Sequence, residues 1–301
     1  MPSKERLIRS DIPEFSFVEN GVEINNESIF RPRLGGGGGC GNDCGVLIDG
    51  YESANSANAG VFYYNHANNT YTQISGITYQ SSDIARWDNK IYRPMQGGIR
   101  EWELDYTNCS ATHIRDIPVF GPGGSNINVG VGMDMVDANT IVAGSSGIGI
   151  IEIDISSTQG IATTLFTTPY AVAGDIIYMQ NTGQILISLA NSDLVLYNYN
   201  GTVVDSYPHS GGLGMYRDLN GDVFISGYPT NSAVQPVTFN PLIVGPTLQN
   251  SGLNISGAAY NSNPNANCTS TNNVCYNIGD IGPEGGIIFS VPGVGPNTST
   301  N

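Results

Sequence analysis

A unit of four short strands recurs about every forty residues, and no other feature of this sequence limits the fold so tightly. Strand openers near Asp83, Met133, Asp175, Met215 and Ala258 stand 50, 42, 40 and 43 residues apart. One unit reads Asp83–Trp87, Lys90–Met95, Ile99–Leu104 and Ala111–Ile117. The next reads Met133–Val136, Thr140–Gly144, Gly149–Ile155 and Ala162–Thr167, and two more open at Gly174 and Gly214. Apolar and polar residues alternate within each unit, as half-buried strands require, and Asn, Gly and Asp turns separate the runs. A four-stranded repeat of this length predicts an all-β fold, a β-propeller.

The last repeat is split between the two ends of the chain. Gly257-Ala-Ala-Tyr260 reads as a first strand with no partners after it. Gly45-Val-Leu-Ile-Asp-Gly-Tyr51 matches Asp222-Val-Phe-Ile-Ser-Gly-Tyr228 almost position for position, and Gly60–Asn65 and Tyr71–Ile74 follow it. Pairing 257–260 with 46–49 would close a ring of five blades and leave no exposed sheet edge. The predicted organisation is an N-terminal docking arm with a glycine swivel over 1–39, a five-bladed β-propeller over 40–261, and a linker with a short C-terminal β extension over 262–301.

The net charge of -15 excludes a nucleic-acid partner, since phosphate contacts need clustered Lys and Arg. A basic group in one blade (Arg86, Lys90, Arg93, Arg100, Arg115) reads as pairing with Asp83, Asp88, Glu101 and Glu103. No apolar core follows Met1-Pro-Ser-Lys-Glu-Arg6, so no secretory signal is expected. No run reaches transmembrane length, so no membrane insertion is expected either. In the arm, Ile12, Phe15, Phe17, Val22, Ile24, Ile29 and Phe30 are scattered among polar positions and lead into five glycines, Gly35 to Gly39. Apolar anchors on a swivel suit docking onto a larger body, as part of a homo- or hetero-oligomer.

Cys40 and Cys44 lie at one end of the chain and Cys268 and Cys275 at the other, and ring closure would make the two pairs neighbours. Disulfides that lock the ring, a four-Cys zinc site and free thiols are all consistent with these spacings. The staple is the expectation carried forward, with at least one bridge between the ends and Cys109 unpaired. Neither a metal nor any other cofactor is expected.

Catalytic signatures are sparse. Asp83, Asp134 and Asp175 open innermost strands, where a glycosidase could place a carboxylate pair, but Asp in that position commonly caps backbone amides. His66, His113 and His209 have no nucleophile motif beside them, and Gly35 to Gly39 lacks the Lys and the strand–helix setting of a phosphate loop. The expectation is therefore a protein that is not an enzyme. For ligand binding, Tyr51 and Tyr228 hold equivalent positions in two long loops, and Tyr79, Tyr170 and Tyr207 with His209 read as interblade-loop residues. Aromatic rings beside Asn and Asp suit sugar binding.

Near the C-terminus, Asn277-Ile-Gly-Asp-Ile-Gly-Pro-Glu-Gly-Gly-Ile-Ile-Phe-Ser-Val291 resembles a Gly-Asp-x-Gly-Pro-x-Gly-Gly-x-Ile-Phe motif, here at 279–289, of bacteriophage tail-fibre and other virion proteins and of some bacterial surface proteins. The resemblance implies a structural virion component of a phage tail, fibre or capsid appendage, with other virion proteins as partners through residues 1–39. It also implies assembly in a host cytoplasm and exposure outside the cell. A carbohydrate-binding adhesin reading a host surface glycan is the alternative, and a glycosidase the second alternative.

Overall fold

The second strand of each repeat is an almost unbroken apolar run, because it is covered on both faces. Thr140-Ile-Val-Ala-Gly-Ser145 and Gln184-Ile-Leu-Ile-Ser-Leu189 are buried from their second residue onward. Sheets that pack on a neighbour at either side require this, whereas a one-sided sheet would alternate. In a computed structural model of the protein, the described residues are 16–19, 22–25, 45–66, 69–145, 149–191, 193–209, 214–218, 221–226 and 232–263.

The chain divides into two compact units. In the first, Met1–Gly37 with Thr269–Asn301, the described residues are the strands β1 (Ser16–Glu19) and β2 (Val22–Asn25), which pair antiparallel. Asn20-Gly21 separates them in sequence, a dipeptide favoured in tight hairpins. The arm was read without this hairpin.

The second unit, Gly38–Cys268, is a β-propeller. Its strands follow in groups. The first group is β3 (Val46–Glu52), β4 (Asn55–Asn65) and β5 (Thr70–Gln73). The second is β6 (Ala85–Trp87), β7 (Lys90–Met95), β8 (Gly98–Asp105) and β9 (Ser110–Phe120). Then come β10 (Met133–Asp137), β11 (Thr140–Ser145), β12 (Gly149–Asp154) and β13 (Gly160–Phe166). The next four are β14 (Val172–Met179), β15 (Gln184–Leu189), β16 (Asp193–Asn198) and β17 (Val203–Pro208). The following group is β18 (Gly214–Arg217), β19 (Val223–Ser226), β20 (Ala233–Thr238), β21 (Ile243–Val244) and β22 (Gln249–Asn250). The last strand is β23 (Leu253–Ala259). Each group is an antiparallel meander, and β6–β9 and β10–β13 join into one eight-stranded sheet through a short parallel pairing of β13 with β9.

β23 has no meander of its own. It pairs antiparallel with β3, with Gly257 opposite Asp49, Ala258 opposite Ile48 and Ala259 opposite Leu47, in the register expected from the sequence. The innermost strands then touch in a cycle: β6 with β10, β10 with β14, β14 with β18, β18 with β23, and β23 with β6. Among the described residues, each hydrophobic cluster lies between two consecutive meanders. Ile151 and Ile141 meet Ile117 and Ile99; Val142 and Ile150 meet Ile176 and Ile187. Leu47 and Val61 meet Ile91 and Ile84 on one side of the terminal sheet, and Ile48 and Phe62 meet Phe224 and Tyr216 on the other.

Both ends of the propeller are held by one residue. Arg86 is fully buried; its Nη1 donates to Gly45 O at 2.7 Å and its Nε to Asp88 O at 2.9 Å. Its own carbonyl accepts Ser262 N at 3.3 Å. Asn261 Oδ1 accepts Asp88 N at 2.8 Å, and Asn263 Nδ2 donates to the Asp88 carboxylate. The chain thus enters and leaves the ring side by side. Cys40, Cys44, Cys268 and Cys275, the glycine swivel and the 279–289 motif lie outside the described residues. Cys109 is a buried free thiol.

Candidate functional site

Two polar assemblies stand out, one on the ring axis and one toward the face opposite the chain ends. On the axis, Asp83, Asp134 and Asp175 each bond the amide of the next residue and reach across to another innermost strand. Asp83 takes Ile84 N at 2.7 Å and Met133 N on β10. Asp134 takes Met135 N at 2.8 Å and Tyr178 N on β14 at 2.9 Å. Asp175 takes Ile176 N at 2.7 Å, Met215 N on β18 at 2.6 Å and Ala258 N on β23 at 3.3 Å. Asp83 and Asp175 also hydrogen-bond to each other, although their strands are separated by β10.

Two carboxyls in such contact cannot both be ionised without strong repulsion. Burial, then the Asp175 charge, pushes Asp83 well above the usual carboxylate range, and burial pushes Asp175 up as well. The two carboxyls are therefore held together by a shared proton, one donating to the other. Gly257 on β23 makes the room, since a Cβ there would overlap Asp83. Asp134 is raised by burial against the pull of Arg217, which pairs with it at 3.6 Å. Asp83 and Asp175 are fully enclosed and Asp134 is 7% exposed. These carboxylates stitch innermost strands together, which is the capping role that their positions suggested.

The second assembly is a ladder across strands. Arg93, Arg100 and Asp116 face one another directly on β7, β8 and β9. Arg93 Nε donates to Asp49 Oδ2 of β3 at 2.7 Å, and Asp49 also takes the amide and hydroxyl of Ser81. Arg100 Nε and Nη2 donate to the two oxygens of Asp116 at 2.7 and 3.0 Å, a planar fork, and His113 Nε2 lies 2.9 Å from Asp116 Oδ1. Hydrogen bonds from Arg100 hold Asp116 down at about 2. Tyr79 bridges the two arginines. Arg93 Nη2 donates to its carbonyl at 2.6 Å, the Arg93 guanidinium lies 4.4 Å from its ring centroid, and Arg100 Nη1 donates to its hydroxyl at 3.1 Å. Tyr79 is nevertheless 41% exposed.

The basic group therefore pairs differently from the sequence reading. Lys90 and Arg115 do meet Glu101, but Arg93 crosses to Asp49 of another sheet and Arg100 takes Asp116. Arg86 bonds the carbonyl of Asp88 rather than forming an ion pair with Asp83. Cross-strand registry decides these partners, and sequence proximity does not.

Among the described residues of the expected tyrosine site, no hydrogen bond or ring contact joins Tyr51, Tyr170, Tyr207 and His209 to one another. Tyr51 lies within β3, opposite Asn254 and Ala59, because β4 starts at Asn55 and leaves no long loop there. Tyr207 lies within β17, half-buried against Met215 and Leu242, and not in an interblade loop. Tyr170 is exposed in the segment before β14, and His209 is half-buried, its pKa lowered by burial. Tyr228 lies outside the described residues. Sequence reasoning passed over the partners of Tyr79, because residues 79, 93, 100 and 116 meet only through sheet registry. It also missed a polar junction between sheets, where His66 Nδ1 lies 2.9 Å from Tyr216 OH and Gln249 Nε2 donates to Tyr64 OH at 2.7 Å.

No family model matches this chain, and no curated protein matches it. Solved structures do. The β-propeller domain of Myceliophteria thermophila Cps50 (Swd1) is 9% identical, with a TM-score of 0.43, covering 70% of this chain and 73% of that one. The periplasmic gluconolactonase PpgL of Pseudomonas aeruginosa is 9% identical, with a TM-score of 0.39, covering 68% and 67%. A putative 6-phosphogluconolactonase from Bacteroides uniformis is 11% identical, with a TM-score of 0.45, covering 68% and 82%. The expectation that the chain is not an enzyme does not stand beside these neighbours, two of which are lactonases by name. At such identities the likeness extends to the fold alone.

Proposed function

We propose that the protein is a display propeller: a five-bladed ring tethered through one face and offering the opposite face to a ligand. Counting β6–β9 and β10–β13 separately supports five blades, since only Gly160 with Val119 and Ile161 with Phe120 join them. The observation that carries the reading is the position of the ends. β3 begins where β23 finishes, and Arg86 bonds both Gly45 and Ser262, so the described propeller begins and ends at one place. Tyr79 lies toward the other end of the strands, by the β7–β8 turn, since β7 rises from Lys90 beside that junction to Met95. Six strand residues span about 20 Å.

In this reading residues 1–39 dock on a larger body, and the resemblance at 279–289 supports a virion assembly as that body. A carbohydrate-binding adhesin is the same architecture with a host glycan on the free face. Deleting residues 1–34 is expected to leave a folded propeller, judged by an unchanged unfolding midpoint, that is no longer incorporated into particles when produced with its partner proteins. Incorporation at the level of the full chain would overturn the docking role.

A further inference from the structure

We infer that Tyr79, Arg100, Asp116 and His113 form a binding subsite for a neutral pyranose sugar. The inference rests on the display reading above and names what the free face would hold.

The Tyr79 ring is built as a platform. Arg93 lies over one face of the ring and leaves the other as the surface on which a ligand would stack, in a residue that is 41% exposed. Its carbonyl and hydroxyl are each taken by an arginine, which fixes the ring before any ligand arrives. Arg93 is in turn locked, 1% exposed, on the fully buried Asp49. A ring that is rigid beforehand loses little conformational freedom on binding, which favours affinity from small contacts. An exposed aromatic face suits the C–H face of a pyranose.

Beside the platform lies a hydrogen-bonding edge. Arg100 and Asp116 are 31% and 40% exposed and form a coplanar fork, with the His113 ring against it at 44%. The guanidinium retains N–H groups beyond those bound to Asp116 and Tyr79, and the carboxylate retains acceptor capacity. Donor and acceptor side by side fit a pair of vicinal hydroxyls, each of which both gives and takes a hydrogen bond.

Charge selects the class. Arg93 and Arg100 are balanced by Asp49 and Asp116, so the ladder offers no net positive charge to an anion. The chain as a whole carries -15 and repels acidic ligands at long range. An apolar ligand would strand the half-exposed fork without partners. A neutral polyol with one apolar face meets all three conditions. One stacked ring and a few hydrogen bonds give weak binding, with a millimolar dissociation constant, and useful adhesion then depends on many copies.

The test is saturation-transfer NMR on the full chain with methyl glycosides of glucose, galactose, mannose and N-acetylglucosamine. Saturation of the pyranose ring protons of at least one glycoside is expected. Tyr79→Ala should weaken binding about tenfold or more, the loss of a good aromatic contact. Tyr79→Phe should retain most of it, and Asp116→Asn should weaken it by breaking the fork. Unchanged circular dichroism confirms that each variant is folded; should Tyr79→Ala fail this check, Asp116→Asn and Tyr79→Phe carry the comparison. No saturation from any glycoside, or equal saturation with Asp116→Asn or Tyr79→Ala, would overturn the subsite. Deleting residues 1–34 should leave sugar binding intact, so loss of the docking role and loss of the sugar site give different results.

Discussion

Replacing Arg86 with Met is expected to remove about 3–5 kcal/mol of stability, because several buried acceptors lose a charged donor at about 1–3 kcal/mol each. The side chain is fully buried and donates to Gly45 O, Asp88 O and Tyr106 OH. Methionine fills much of the volume but satisfies none of these acceptors, and each stranded group costs about 1–3 kcal/mol. The damage falls where the two ends of the ring meet, so β3 and β23 should loosen first. Domains are stable by only about 5–15 kcal/mol, so the loss is a large share of the total. For a propeller of this size the melting temperature should fall by roughly 10 °C. Urea unfolding of the two proteins measures the difference, and a change below about 1 kcal/mol would show that the ends do not depend on this latch.

The second large effect is on pH dependence, and its sign is fixed by the axis. Asp83 and Asp175, with Asp49 and Asp134, have folded-state pKa values raised by burial. A raised carboxyl contributes stability that is complete below its unfolded value of about 3.9 and is lost as pH rises through the folded value. Other groups act at lower pH. Asp116 is held near 2 by Arg100, and burial raises Glu101 but Lys90 and Arg115 outweigh it. Those two contribute stability that is lost as pH falls below about 4. His66 and His209 are lowered by burial, so their contribution is present above about 6.5 and lost below it. Above pH 6.5 these other groups are settled, and the slope belongs to the buried carboxyls.

Stability is therefore expected to fall as pH rises above 6.5 toward the raised pKa values of these carboxyls, by up to about 1.4 kcal/mol per pH unit for each proton released. Asp83→Asn keeps an N–H donor toward Asp175 but loses one acceptor for Ile84 N or Met133 N. It should be less stable at neutral pH by about 1–3 kcal/mol and show a shallower slope across the same window. Melting curves at half-unit steps would separate the cases, and a slope unchanged in Asp83→Asn would show that no proton is shared on the axis.

What could be read in the sequence divides along physical lines. Strand identity was local, because Ile141 to Ala143 or Ile185 to Ile187 form continuous apolar runs wherever a strand is covered on both sides. Ring closure was also legible, since the split repeat left Gly257-Ala-Ala-Tyr260 without partners and Val46–Asp49 without a first strand. The axial aspartates were visible as a repeated position, though not the contact between Asp83 and Asp175, which spans the ring. The face carrying Tyr79 was not legible. Its partners come from β3, β7, β8 and β9, and the choice of Asp116 over Glu101 or Glu103 depends on a register that composition does not encode. The long loop expected after Tyr51 and the interblade loop expected at Tyr207 were lost to strand extension, which pairs backbone groups that a loop would have left to solvent.

The display reading depends on both ends leaving one face of a closed ring, and hydrogen exchange on the full chain tests that most directly. Amides of Val46–Glu52 and Leu253–Ala259 should be protected together and to the same degree as β11 and β15, and in Arg86→Met they should lose protection together. Exchange of Leu253–Ala259 at the rate of an unstructured segment, with β3 still protected, would contradict closure and with it the placing of both ends on one face.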